Sequence, residues 1–334
     1  MNKKSNPSSV YNIVKVITVL LVVFAHSTRM YTSAGAFSLL NQSVILAKIT
    51  DYIYIFHMPL FMFVSGAVYG LCIQQGKYEK KLAFIRNKTK RLLIPYFVFG
   101  FFYVAPVMCL TGLTNQGYFT YCFFGIVLSL NSRHLWFLLA LFIIFIFAIL
   151  IRQWLLKSHY TRALVLILSG VILILARYVP GELQLNAAFS YQLFFVLGAL
   201  FHYYYDAVEA VLMKFRYLAV ALPIILLGYF FYCPNWIFAL GYKFIGILMI
   251  IFFSILLEKG TRLTKTNFYK CVKDTSMGIY LFHPMIIYLG YYWLGCRDIP
   301  PILLSVGIAV VSFYISIALT KVVRRLRLGI ILGE

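Results

Sequence analysis

Lys15 and His26 stand eleven residues apart, with His26 closing an apolar run that begins at Val16. At about 100° per residue, that spacing is three turns plus about 20°, so both side chains lie on one face of a single helix. They are about 16 Å apart along its axis. Lys15 would mark the water interface and His26 would lie inside a bilayer. An ionisable group at that depth is costly and by default marks a functional site. Imidazole suits general-base work near neutral pH. Arg29 adds a positive charge one turn beyond, and a neutral ring beside it can accept a proton from an attacking hydroxyl. The alternative is a histidine that hydrogen-bonds between helices.

Further candidates follow along the chain. His57 lies two residues before Pro59, which cannot donate a helical hydrogen bond and so would kink the segment there. Functional and packing readings stay open for His57, whereas Ser65 and Gly66 suit close helix approach. The cluster Arg86, Lys88, Lys90 and Arg91 could hold the phosphates of an anionic cofactor at the membrane surface. Topology alone could also place these charges. His134 opens a later apolar run, and His283 again precedes a proline, Pro284. His159 and His202 fall at span ends and read as interfacial residues.

The elements that must position these groups are read from composition. The 334 residues are 63% hydrophobic and 12% charged, with mean hydropathy +0.89. Soluble domains carry about 25% charged residues, so an all-α polytopic membrane protein is expected. Apolar runs predict a bundle of about ten transmembrane helices, at 10–29, 49–73, 93–113, 134–151, 163–180, 187–205, 217–233, 237–257, 276–295 and 301–320. The stretch Tyr118–Leu130 is too short to cross and is expected to be re-entrant or interfacial. Together they form one membrane-embedded domain over 1–334, with tails 1–9 and 321–334. The first segment resembles a signal peptide in its basic start, but it lacks an Ala-x-Ala-like site and reads as an uncleaved span.

Net charge is +21, yet the charges cluster between apolar segments, which argues against nucleic acid as a partner. The N-terminus, the even-numbered connections and the C-terminal tail hold 24 of the 30 Lys and Arg residues. The opposite side holds Arg29, Lys48, Arg133, Arg177, Lys243 and Arg297. By the positive-inside rule, both termini are expected in the cytoplasm and the protein in the cell membrane. The six cysteines show no paired spacing and imply neither a metal nor a disulfide framework. All nine acidic residues map to loops, tails or span ends, unlike the mid-membrane carboxylates of coupled carriers.

Several of these motifs resemble the membrane acyltransferase-3 family. Lys15 with His26 is similar to its basic-x10-His signature, and Phe56 through Gly66 resembles its second-span motif. Lys88-Thr-Lys90-Arg91-Leu-Leu-Ile-Pro95 is similar to its Arg-x-x-Arg element. His134-Leu-Trp136-Phe137-Leu138 and Ser276 through His283 look like its later motifs. The resemblance covers about residues 8 to 328, with lysine at positions 15 and 88 where the family usually has arginine.

That resemblance implies an O-acyltransferase taking an acyl group, often acetyl, from cytoplasmic acyl-CoA as co-substrate, with no permanently bound cofactor. The acceptor would be a hydroxyl of an extracytoplasmic or lipid-linked glycan. His26 would be the catalytic histidine with Lys15 as its basic partner, and Lys88 and Arg91 would match the cytoplasmic basic pair. Arg86 and Lys90 would join them on the CoA phosphates. His57, Arg29 or a backbone amide near Pro59 would serve the developing oxyanion, and Arg29, His134 and His283 would meet the acceptor. A glycan exporter or flippase is the alternative.

Overall fold

The computed structural model describes residues 4–215, 217–228, 236–260 and 262–334. Lys3, Arg216, Cys233 and the last five residues of the span expected at 217–233 lie outside them. Among the described residues, all regular structure is helical. In chain order the helices are α1 (Pro7–Tyr31), α2 (Val44–Gln74), α3 (Lys81–Leu110), α4 (Tyr118–Val127), α5 (Arg133–Lys157), α6 (His159–Tyr178), α7 (Glu182–Tyr203), α8 (Tyr205–Lys214), α9 (Leu218–Leu227), α10 (Phe238–Gly260), α11 (Asn267–Leu294) and α12 (Pro301–Arg325).

Eight of these are long and apolar enough to cross a membrane, and the bent α8–α9 pair makes a ninth candidate. At 28 residues α11 is also long enough to cross, though it is rich in tyrosine. The number is therefore near the expected ten, and the chain is a multi-pass membrane protein. The short helix α4, Tyr118–Val127, is the apolar piece anticipated before the fourth span.

Two boundaries differ from the sequence expectation. The third span was expected to open at residue 93, but its helix begins at Lys81, so the basic cluster occupies the first turns of a helix. Pro95 and Pro106 do not break this helix, because a π-helical turn precedes each, at Thr89–Leu93 and Gly100–Val104. There the Ile94 and Ala105 amides reach back five residues, which lets the chain take up each proline's missing donor. Likewise α11 starts at Asn267, well ahead of residue 276, with the Thr266 side chain capping the Tyr269 amide.

At the bundle's centre, α2 packs along α7, α1 and α10, and α1 also packs on α11 and α12. The α2–α7 crossing rests on two glycines. A Cβ on Gly66 would collide with the Phe195 carbonyl, and one on Gly198 with the Phe63 carbonyl. Small residues let the two backbones touch, and in lipid that close packing takes over the role hydrophobicity has in water. Gly66 thus does what its position in the second span suggested.

At the end holding the N-terminus, His202 departs from the interfacial reading. It is buried, its Nε2 donating to Gln74 Oε1 (2.8 Å) and its Nδ1 accepting from Tyr11 Oη (2.9 Å). Buried Glu209 on α8 pairs with Lys259 of α10 at 2.6 Å and accepts the Ser5 amide. These contacts tie α1, α2, α7, α8 and α10 together.

Candidate active site

A cavity of about 1010 Å³ opens between α1, α2, α5, α6, α7, α10 and α11, at the bundle end away from the N-terminus. His26, Arg29, His57 and His134 line it, with His283 directly behind. Five rings run in contact across its base. His57 lies 4.5 Å from Tyr54 between ring centroids, Tyr54 6.1 Å from His26, His26 5.1 Å from His283, and His283 6.3 Å from His134.

Each flanking histidine is fixed by a backbone carbonyl. His57 Nδ1 donates to Ile53 O (3.1 Å), His283 Nδ1 to Ile279 O (2.6 Å) and His134 Nε2 to Leu281 O (3.2 Å). A carbonyl oxygen only accepts, so the proton of each neutral ring sits on the named nitrogen. The other nitrogen of each ring is a free lone pair: His57 Nε2, His283 Nε2 and His134 Nδ1. Those of His283 and His134 are buried without a partner. A buried polar atom left so is costly, and is accounted for if a proton donor arrives from the cavity.

His57 and His283 are held in a similar way. Each lies in a helix two or one residues before a proline and turns back onto the carbonyl four residues earlier. His134 is held from the facing helix instead, for Tyr280 also donates its hydroxyl to the His134 carbonyl. No hydrogen bond restrains His26 among the described residues. Its ring centroid lies 5.1 Å from that of His283, whose Nε2 stays unpartnered beside it.

Arg29 lies over the Tyr54 ring, 5.4 Å from its centroid, with Nη1 3.5 Å from the Tyr54 hydroxyl. Because the His57 N–H is turned onto Ile53, Arg29 is the better placed donor for a developing oxyanion. Across the mouth, Arg133 takes a left-handed backbone (φ +51°), as do Ser129, Leu183 and Gln184 nearby. Such conformations cost about 1–3 kcal/mol each outside glycine and persist where the surroundings enforce them. Here the Leu183 amide donates to Leu128 O and the Gln184 side chain to Ser129 O, locking the two loops together.

Lys15 does not reach this cavity. Its lining on α1 stops at Val22, seven residues and about 10 Å from Lys15. Half-buried Lys15 instead lies within electrostatic range of Arg91, Lys273 and Asp274. Two of the basic groups singled out in the sequence, Lys15 and Arg91, therefore share the opposite end of the bundle.

In the basic stretch, Arg86, Lys90 and Arg91 are exposed. Lys88 is buried, its ammonium 3.8 Å from the Phe145 ring centroid, 5.2 Å from Tyr78 and 5.3 Å from Phe84. Among the described residues, no group of three His, Cys, Asp or Glu side chains is placed to hold a metal ion.

Sequence reading missed Tyr54 and Tyr280, which connect the rings, and Arg133, Arg177 and Lys243, which line the cavity. Lys243 carried a signal as the lone cation inside an apolar run, and so did the proximity of Arg133 to His134.

The model of the acyltransferase-3 family, an acyltransferase domain, matches residues 10–321. No curated protein and no solved structure matches the chain.

Proposed function

The chain belongs to the acyltransferase-3 family and is a membrane acyltransferase, and from that premise we propose that it moves an acyl group, acetyl in the first instance, from cytoplasmic acyl-CoA to a hydroxyl of an extracytoplasmic or lipid-linked glycan. The observation that carries this reading is the unrestrained His26 ring lining the cavity, with the His283 ring 5.1 Å away and its Nε2 unpartnered. The charge distribution supports cytoplasmic termini in the cell membrane, which puts the cavity mouth on the outer face.

In this reading the exposed Arg86, Lys90 and Arg91 hold the CoA phosphates, with Lys15 beside Arg91. Lys88 sets the shape of that stretch from among its three rings. The pantetheine arm passes the packed layer between Lys15 and Val22 and brings the thioester to the histidines. His26 removes the acceptor hydroxyl's proton while Arg29 faces the oxygen that gains charge. The new carbon–oxygen bond forms, the carbon–sulfur bond breaks, and the proton held by His26 returns to the departing thiolate. Transient acylation of His26 is the other route these groups allow.

The test is incubation of wild type and His26→Ala with radiolabelled acetyl-CoA and host membrane glycolipids, with folding checked by gel filtration. Label should enter the glycolipid fraction with wild type only. If the wild type neither binds CoA nor transfers label, acyl transfer from CoA is wrong and an exporter becomes the better reading.

A further inference from the structure

The cavity beside the histidines holds four cations, Arg29, Arg133, Arg177 and Lys243, and no carboxylate. They come from α1, the start of α5, the end of α6 and α10, so four separate helices bring them to one space. They are also four of the six basic residues on the side of the chain where such residues are scarce. None of the four forms an ion pair among the described residues, whose pairs involve Lys4, Lys259, Lys273 and Arg324. None of the residues outside the described set is acidic, so no carboxylate there can complete the lining.

Positive charge drawn together without a counter-ion repels itself, and a partly enclosed site screens that repulsion less than bulk water does. A neutral sugar relieves none of it. An oxyanion does, and three of the four groups are guanidinium forks, whose planar donors match phosphate and carboxylate oxygens in pairs. The Arg133 Nε is buried without a hydrogen-bond partner, leaving a donor for such an oxygen. Amide side chains of Asn131, Gln184 and Asn186 share the lining and suit sugar hydroxyls.

We propose that the acceptor is anionic, carrying a phosphate or diphosphate ester that Arg133, Arg177 and Lys243 hold at the cavity mouth while its sugar hydroxyl reaches His26. Arg29, one turn from His26, stays with the reacting centre. The anchor fixes which hydroxyl meets the histidine and excludes uncharged glycans of similar shape. Calling the ligand an acceptor rests on the acyl-transfer reading; the anion site itself does not.

The experiment therefore measures binding without turnover, on full-length His26→Ala in detergent. The probes are radiolabelled polyprenyl diphosphate, inorganic diphosphate, and a neutral glycolipid of matched chain length. Arg177→Gln with Lys243→Gln is added in one variant, and Arg177→Lys with Lys243→Arg in another to keep the charge.

We expect the diphosphate lipid to bind in preference to the neutral one, with the Gln pair weakening it about tenfold or more and the charge-keeping pair retaining most of the affinity. Binding of inorganic diphosphate with the same dependence on the pair also supports the site, and assigns the anion to a soluble acceptor. Equal binding of the neutral glycolipid, or affinity for diphosphate unchanged by the Gln pair, overturns the proposal. Because His26 is absent throughout, failure here leaves the transfer experiment untouched, and failure there leaves the anion site standing.

Discussion

His26 and His283 face each other across the α1–α11 contact, with ring centroids 5.1 Å apart and planes inclined at 60°. Their restraints are unequal. His283 is tied through Nδ1 to the Ile279 carbonyl, so its Nε2 is a fixed, buried acceptor. His26 has no tether of its own, and the His283 Nε2 beside it stays unpartnered. One ring lines the cavity, and the other, behind it, keeps an open acceptor.

His283→Ala should lower kcat about tenfold, since its open Nε2 can accept from His26 once that ring takes up the hydroxyl proton, and such a hydrogen bond is worth about 1.5 kcal/mol. The KM for the acyl donor should not change, because the basic groups proposed for its phosphates lie at the other end of the bundle. Steady-state kinetics on protein matched for folded content separates the two parameters. An unchanged kcat would remove His283 from the mechanism.

Gly198→Val should destabilise the fold without touching the cavity. Its side chain would meet the Phe63 carbonyl at the α2–α7 crossing, where backbone and not a flexible side chain is in the way. Forced overpacking costs about 1–3 kcal/mol, which thermal unfolding in detergent would register as a lowered Tm. Ser65→Ala, which removes only a bond to the Phe61 carbonyl within its own helix, is the control and should leave Tm nearly unchanged.

The histidines were legible because an imidazole within an apolar run is conspicuous, and the apolar runs likewise placed the helices. Their restraints were not. Which carbonyl holds His134 depends on α11, almost 150 residues away, and no periodicity encodes that pairing. The cationic lining was visible only as six charges on the wrong side of the bundle, since convergence of Arg133, Arg177 and Lys243 requires the helices to be packed. Lys88 shows the reverse case. Phe84, one turn before it, was a local sign of an aromatic neighbour, but charge density around Arg91 made it resemble an exposed phosphate ligand.

His202→Leu should cost stability and spare catalysis. The ring bridges Tyr11 of α1 and Gln74 of α2, and replacing it strands the buried Tyr11 hydroxyl, while the exposed Gln74 amide can turn to water. A buried hydroxyl left unsatisfied costs about 1–3 kcal/mol. Tyr11→Phe removes one of the two bonds and should have the smaller effect. Denaturant unfolding of both variants, set against transfer rates below their midpoints, tests the assignment; a selective loss of rate with normal stability would contradict it.

Lys88 and Arg91 should fail in different ways although they lie three residues apart. The Lys88 ammonium sits among the Phe145, Tyr78 and Phe84 rings, where desolvated cation–π contact is worth about 2 kcal/mol. Lys88→Met keeps the apolar volume and loses the charge, so Tm should fall while the KM for acyl-CoA rises little. Arg91 is exposed and close to Lys15, and Arg91→Gln removes a fork suited to phosphate. Its KM should rise about tenfold, the loss of one charge-assisted contact, with Tm unmoved. Dephospho-CoA donors should narrow the gap between Arg91→Gln and wild type but leave the Lys88→Met result as it was. If Lys88→Met raises KM as much as Arg91→Gln does, the ammonium must leave its rings to meet the donor, and the cage is then a resting position and no longer a structural fixture.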